Sequence, residues 1–68
     1  MVGQRIKAYL AEHGIMQKFL VDKADIPSSA LTQMLSGNRK IEVMEYYRIC
    51  KALNVDLMTF LTDDESEV

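Results

Sequence analysis

The chain has 68 residues, a formal net charge of −2 and a single cysteine, which together favour one small domain. A chain of this size buries only about 60% of its unfolded surface, so it holds one small core. One cysteine excludes a disulfide within the chain, and no apolar run approaches the ~18 residues of a membrane span or resembles a signal peptide. We therefore expect a cytoplasmic protein with no membrane partner.

Charge is distributed unevenly along the chain. Four acidic residues lie in the last segment, DDESEV, whereas residues 1–62 carry eight basic and six acidic side chains. The first part of the chain is therefore mildly basic, and we expect residues 1–62 to form the domain. Residues 63–68 offer no apolar face to fold around, so they are predicted to be a disordered acidic tail.

Apolar spacing predicts two helices in the first third of the chain. The first, Val2–His13, turns Ile6 and Leu10 inward and ends at Gly14. The second opens near Gln17 and is short. Its inward stripe is Leu20, Val21 and Ala24.

A tight reversal and a third helix are predicted next. Asp25 lies where the chain must reverse, and its short polar side chain tolerates the left-handed backbone conformation. Pro27 suits the first position of a new helix, since its ring fixes φ and its missing N–H needs no partner there. Gly37, after Ser36, is a good stop for this helix. Its inward stripe is Leu31, Met34 and Leu35.

Two further helices are predicted in the last third of the chain. The fourth, Val43–Leu53, is closed by Asn54. Its inward residues, at i, i+3, i+4 and i+7, are Tyr46, Ile49, Cys50 and Leu53. Asp56 is a suitable N-cap for a last short helix. No strand pattern is found, so the sequence predicts an all-α domain of five helices.

The segment from Gln17 to Ser36 is predicted as two short helices across a tight turn, the layout of a helix-turn-helix. The motifs GIMQKFL, KADIP, SSALTQMLSG, NRKI and KALNVDL follow one another in the order and spacing of the Cro/CI-type helix-turn-helix proteins. The chain resembles this lambda-repressor-like (XRE) family of phage repressors and small bacterial regulators over nearly its whole length. The resemblance implies a sequence-specific DNA-binding transcriptional regulator that reads an inverted-repeat operator as a dimer.

Residues on the outward face of the third predicted helix are expected to read DNA bases. These residues are Ser28, Ser29, Thr32 and Gln33. By resemblance, Ser28, Ser29 and Gln33 match positions that reach base edges in the major groove. The Gln33 amide can pair with N6 and N7 of adenine, while Ser and Thr can contact either type of base. The alternative for the two serines is local, because serines at a helix start often satisfy exposed N–H groups.

Phosphate contacts are expected at two places. Gln17 matches the family's glutamine at the start of a helix, where N–H groups and the helix dipole favour an anion. Asn38, Arg39 and Lys40 lie in the loop after the third helix, where family members touch the DNA backbone. The alternatives are a helix-start glutamine with no partner and a merely solvated basic loop.

The chain departs from the family pattern at the start of the second helix. Family members commonly carry Thr or Ser at the position of Met16 and an acidic residue at that of Phe19, which together form a capping box. Losing this cap should cost ~0.5–2 kcal/mol. We expect Met16 and Phe19 to pack together as a local clasp. The alternative is an exposed patch that a protein partner covers.

Five apolar residues near the end of the predicted domain indicate a symmetric homodimer. These residues are Val55, Leu57, Met58, Phe60 and Leu61. Successive helical residues point about 100° apart, so a segment of about seven residues cannot turn all five toward one core. A two-fold contact there would pair the recognition helices; the alternative is that the segment closes its own core. The competing functional class is an antitoxin-like or anti-repressor protein-interaction module.

Nothing in the sequence indicates catalysis. His13 is the only histidine and suits a solvated helix end, while Cys50 lies on an inward stripe, where a buried thiol is expected. The sequence has no cluster of metal ligands and no glycine-rich phosphate loop. We therefore expect no catalytic residues, no cofactor and no metal, and the expected partners are double-stranded DNA and a second copy of the chain.

Overall fold

The computed structural model describes residues 2–61, and these residues contain four helices and no strand. The helices are α1 (Val2–Glu12), α2 (Gln17–Lys23), α3 (Ser28–Ser36) and α4 (Val43–Leu53). The predicted all-α class is confirmed, and each of the first four predicted helices is found within one residue of its predicted bounds. Over the described range, no helix is long and apolar enough to cross a membrane.

One hydrophobic core lies between the helices, with α1 packed on α3 and α2 packed on both α3 and α4. The inward stripes predicted for α1 and α3 are buried in full, and Leu20, Ala24, Ile49 and Cys50 are buried as predicted. Val21, Tyr46 and Leu53 are only partly buried, at the edge of this core. Ile26 is a core residue that periodicity did not identify, because it lies in the turn between two helices.

Gly3 allows α1 to approach α3 closely. A Cβ atom at this position would overlap the backbone carbonyl of Met34 on α3. A side chain at residue 3 would therefore push the two helices apart, so the glycine serves packing rather than flexibility.

Left-handed residues end the helices where the sequence predicted them. Gly37 after α3 has φ 88°, and Asn54 after α4 has φ 59°. Each closes its helix with backbone N–H bonds to the carbonyls of the last turn, which is the usual geometry of a helix C-terminus. Asp25, in the reversal after α2, also has a positive φ, 57°, as predicted.

The predicted fifth helix is not found in the described part of the chain. Asp56 Oδ1 accepts the Met58 N–H at 3.1 Å, as an N-cap would, but the segment that follows forms turns. The Thr59 and Leu61 N–H groups bond to carbonyls three residues earlier, at 3.0 and 3.1 Å. A short segment gains few helical bonds to offset the cost of nucleation. The predicted acidic tail, residues 63–68, lies outside the described residues.

Tertiary contacts hold this last segment in place. Phe60 is buried, and its ring packs edge-on against those of Tyr9 and Tyr46, with centroids 5.5 and 6.4 Å apart. The Tyr46 hydroxyl donates to the Leu57 carbonyl, and Arg5 Nη1 donates to the Phe60 carbonyl at 3.3 Å. The segment therefore closes one end of the core without forming a helix.

Candidate nucleic-acid interface

The α2–α3 pair is joined by a four-residue turn with a fixed backbone. Ala24 is the C-cap of α2, Asp25 takes the left-handed conformation, and the buried Ile26 anchors the turn to the core. Pro27 is the N-cap of α3 rather than its first helical residue, which moves the predicted helix start by one position. Two short helices across this turn form a helix-turn-helix.

Arg48 on α4 ties this turn to the rest of the domain. Its Nε–H donates to the Ala24 carbonyl at 2.9 Å, across 24 residues of sequence. The carbonyls of the last helical turn lack partners within the helix, so this donor satisfies one of them and places a positive charge at the C-terminus of α2. The sequence analysis did not identify Arg48, because no local pattern connects it to the turn.

One face of α3 is polar and exposed along its length. Its residues are Ser28, Ser29, Thr32 and Gln33, all exposed. The opposite face is the buried stripe of Leu31, Met34 and Leu35. Packing on α1 and α2 thus fixes which side of α3 faces outward, and the predicted base-reading residues are brought together on that side.

The start of α2 has no side-chain cap, as predicted. Met16 is the N-cap residue, with extended backbone angles, and it makes no side-chain hydrogen bond to the helix start. Gln17 follows it as the first residue of α2 and is partly exposed. The predicted site for a phosphate therefore has a thioether rather than a hydroxyl beside the first N–H groups of α2, and the Phe19 N–H is bonded to the Met16 carbonyl at 3.0 Å.

Met16 and Phe19 both lie at the surface at the start of α2. Met16 is 75% exposed and so is little packed, whereas Phe19 is 38% exposed and keeps most of its surface covered. Both line a shallow depression with Lys18 and Asp22, which form an exposed i, i+4 ion pair. The structure agrees with the alternative, an exposed apolar patch at the start of α2.

The loop after α3 separates the three residues predicted to touch phosphates. Asn38 and Lys40 are exposed, whereas Arg39 makes a bidentate ion pair with Glu45 in the first turn of α4. The Nη1–Oε1 and Nη2–Oε2 distances are both 3.1 Å. These hydrogen bonds lower the pKa of the Glu45 carboxyl and raise that of the Arg39 guanidinium.

An apolar groove of about 690 Å³ lies between the N-terminus of α1, the C-terminus of α3, the start of α4 and the last described residues. Its exposed hydrophobic lining is Val43, Met44, Tyr47, Leu57 and Leu61. Met58 is also exposed, at 55%. Of the residues predicted to form a dimer contact, Leu57, Met58 and Leu61 are thus at the surface of this protomer.

The other two predicted dimer residues are placed differently. Phe60 is 2% exposed, so its inclusion in a dimer interface is wrong: it fills the protomer's own core. Val55 is partly buried against the same core. The alternative, in which the segment closes its own core, is therefore correct for these two side chains.

Of the titratable side chains singled out in the sequence, Cys50 is buried in the core and His13 is exposed after the end of α1. Burial raises the pKa of the Cys50 thiol, which disfavours the reactive thiolate. The His13 ring lies on the ring of Tyr9, with centroids 4.1 Å apart. Between residues 2 and 61, no group of three His, Cys, Asp or Glu residues could hold a metal ion.

A helix-turn-helix with an exposed polar third helix defines a class of nucleic-acid-binding domains. A family model of the Cro/C1-type HTH DNA-binding domain matches residues 5–66, and the chain belongs to this family. Membership supports a DNA-binding regulator. No curated protein and no solved structure gives a significant match to the chain.

Proposed function

We propose that this protein is a sequence-specific transcriptional regulator that reads an inverted-repeat operator as a homodimer, in the manner of a repressor. The observation that carries this proposal is the polar exposed face of α3, held outward by the core and by the Arg48 bond to the preceding turn. A helix presented in this way fits the major groove of B-form DNA.

Base recognition is assigned to the exposed face of α3. Gln33 is the main reader, because its amide offers a donor and an acceptor that match adenine. Thr32 beside it can place its methyl group against a thymine methyl, and Ser28 and Ser29 lie at the end of the helix that enters the groove. Base recognition would therefore combine one bidentate contact from Gln33 with smaller contacts from the Ser and Thr side chains.

Phosphate contacts are assigned to the two ends of the helix-turn-helix. Lys40 is exposed in the loop after α3, beside the exposed Asn38 amide. Gln17 lies at the start of α2, where Met16 gives the helix N–H groups no side-chain cap. Contacts of this kind position the protein on the duplex, and the charged ones make the affinity depend on salt.

Dimerisation is assigned to the apolar groove and the exposed Met58 that follows Leu57. Leu57 and Leu61 line the groove together with Met44 and Tyr47 of α4. A contiguous apolar surface on so small a domain favours association. A two-fold contact would present two α3 helices to one operator.

A second candidate function is supported by the exposed patch at the start of α2. Met16 and Phe19 stand where other family members place a polar cap, and both are exposed. An antitoxin-like or anti-repressor subunit would use this patch to bind a protein. In that case duplex DNA would be bound weakly and without sequence preference.

Selection of bound sequences from a random duplex library tests the proposal. Enrichment of one inverted repeat is expected, with the half-site centres about 34 Å apart. Enrichment of a single half-site would retain base reading and contradict the dimer. If a folded protein enriches no sequence at moderate salt, the regulator proposal is wrong and the protein-interaction function is favoured.

A further inference from the structure

The two basic residues in the loop after α3 differ in how their side chains are held. Lys40 is exposed, whereas both terminal nitrogens of Arg39 donate to the Glu45 carboxylate at 3.1 Å. The Glu45 side chain keeps only 14% of its exposure, and its Oε1 also accepts the Glu42 N–H at 2.9 Å. A bidentate pair is directional, so it holds the guanidinium against the first turn of α4.

The Arg39–Glu45 pair joins the loop between α3 and α4 to the start of α4. Residues 37–42 connect α3 to α4 without helix or strand, and the Arg39–Glu45 pair ties the middle of this connection to the helix that follows. Charge alone would make Glu45 an obstacle, because a carboxylate beside the DNA backbone repels phosphate. Because Glu45 is instead paired with Arg39, its effect is to fix the path of the loop.

We propose that Arg39 and Glu45 are positioning residues for DNA binding, whose ion pair fixes the loop so that Asn38 and Lys40 face the phosphate backbone while Arg39 neutralises no phosphate. This inference rests on the proposed DNA-binding function. It replaces the expectation, drawn from the sequence, that Arg39 contacts a phosphate directly.

The Glu45→Gln variant distinguishes a positioning role of Arg39 from a direct phosphate contact, because the two roles predict opposite changes in DNA affinity. Affinity for the selected duplex is measured over a range of salt concentrations, since the slope of log affinity against log salt changes by about 0.9 for each phosphate contact. If the pair positions the loop, E45Q binds about fivefold more weakly, the factor for a partly exposed ion pair, with no steeper slope. If E45Q instead binds more tightly and with a slope steeper by about 0.9, Arg39 has been released to a phosphate and the proposal is wrong.

Glu42→Gln is the matched control. Glu42 is the exposed N-cap residue of α4 and forms a capping box with Glu45, a motif in which glutamine can keep an acceptor oxygen. Its substitution removes the same charge without replacing either partner of the Arg39–Glu45 pair. This variant is expected to bind DNA as tightly as the wild type or slightly more tightly. If E42Q weakens binding as much as E45Q does, the loss of affinity comes from a change at the start of α4. That result would contradict a role for the ion pair.

A second test places Arg39→Gln in a Lys40→Ala background. Because the loop's phosphate contact is already absent there, loss of a positioning residue leaves the salt slope of K40A unchanged. A direct phosphate contact by Arg39 makes the slope shallower by about a further 0.9. Thermal unfolding confirms that each variant is folded at the binding temperature. A wild-type protein that does not bind duplex DNA contradicts the proposed function itself, whereas tighter binding by E45Q contradicts only this inference.

Discussion

The Arg48 guanidinium donates its Nε–H to the carbonyl of Ala24 at 2.9 Å, and this bond joins the middle of α4 to the turn of the helix-turn-helix. Ala24 closes α2, and the next residue, Asp25, takes the left-handed conformation that reverses the chain. The orientation of α3 relative to α2 is therefore supported from outside the motif, by a side chain of the helix that follows it.

Arg48→Met should lower the free energy of unfolding by about 1–2 kcal/mol, because it leaves a carbonyl at the end of α2 without its charged donor. Methionine keeps most of the apolar stem, so the change isolates the guanidinium. Denaturation by urea measures the effect. Lys51→Met, which removes a charge from an exposed site on the same helix, is the control and should change stability much less. Equal effects of the two variants would show that the Ala24 bond contributes nothing.

Gln33→Ala and Lys40→Ala should weaken DNA binding in different ways. Gln33→Ala is expected to cost ~1–3 kcal/mol on the preferred site and to relax the choice at one base pair. Lys40→Ala should weaken binding to all sequences alike and make the salt slope shallower. Titrations with operator and random duplexes compare the two. A uniform loss on both duplexes for Gln33→Ala would remove its role in base reading.

Met16→Thr combined with Phe19→Glu should stabilise the protein by up to about 1 kcal/mol, because it restores both halves of a capping box. The high exposure of Met16 and the absence of a side-chain cap mean that its replacement loses little packing, while the 38% exposed Phe19 ring loses part of its contacts, which limits the gain. A thermal melt of the double variant measures the change. Destabilisation would show that the Met16 and Phe19 side chains pack against each other in solution after all.

Tyr46→Phe should remove a hydrogen bond worth ~0.5–1.5 kcal/mol, the one donated to the Leu57 carbonyl. Burial raises the pKa of Tyr46 from 10.0 to about 12, so the folded protein holds this proton more tightly than the unfolded chain does. The resulting stability is present below pH 10 and is lost as the pH rises toward 12. The urea midpoints of the wild type and the variant should therefore differ at neutral pH and approach each other as the pH is raised from 10 toward 12. Tyr47→Phe, at an exposed position of the same helix, controls for loss of a hydroxyl.

Met58→Glu should give a folded monomer that binds the operator much more weakly than the wild-type dimer. A carboxylate at this exposed position puts a charge into the apolar surface assigned to the partner, and burial of an unpaired charge is costly. Analytical sedimentation gives the mass, with and without DNA. Met16→Glu places the same charge at an exposed methionine outside that surface and should leave the dimer intact. A wild-type protein that stays monomeric at high concentration, alone and on DNA, would rule the dimer out.

The parts of this protein that the sequence determines are local. The inward stripes of α1 and α3 follow from apolar spacing alone, and the left-handed turn at Asp25 follows from one short polar residue between two such stripes. The missing cap at Met16 could be predicted for the same reason, since a helix start is decided within about one turn of chain.

The tertiary structure decided what distant side chains do. The bond between Arg48 and Ala24 spans 24 residues, and Phe60 is buried against Tyr9 from the opposite end of the described chain. Apolar spacing on an expected fifth helix placed Phe60 among the dimer residues. In the structure the segment forms turns, and the Phe60 ring is buried in the core. The ion pair of Arg39 with Glu45, six residues later, depends on the path of the loop between them, which apolar spacing does not predict. Sequence patterns indicate neighbours within a turn or two of helix, but the partner of a basic side chain such as Arg48 is decided by how the helices pack and how the loops between them run.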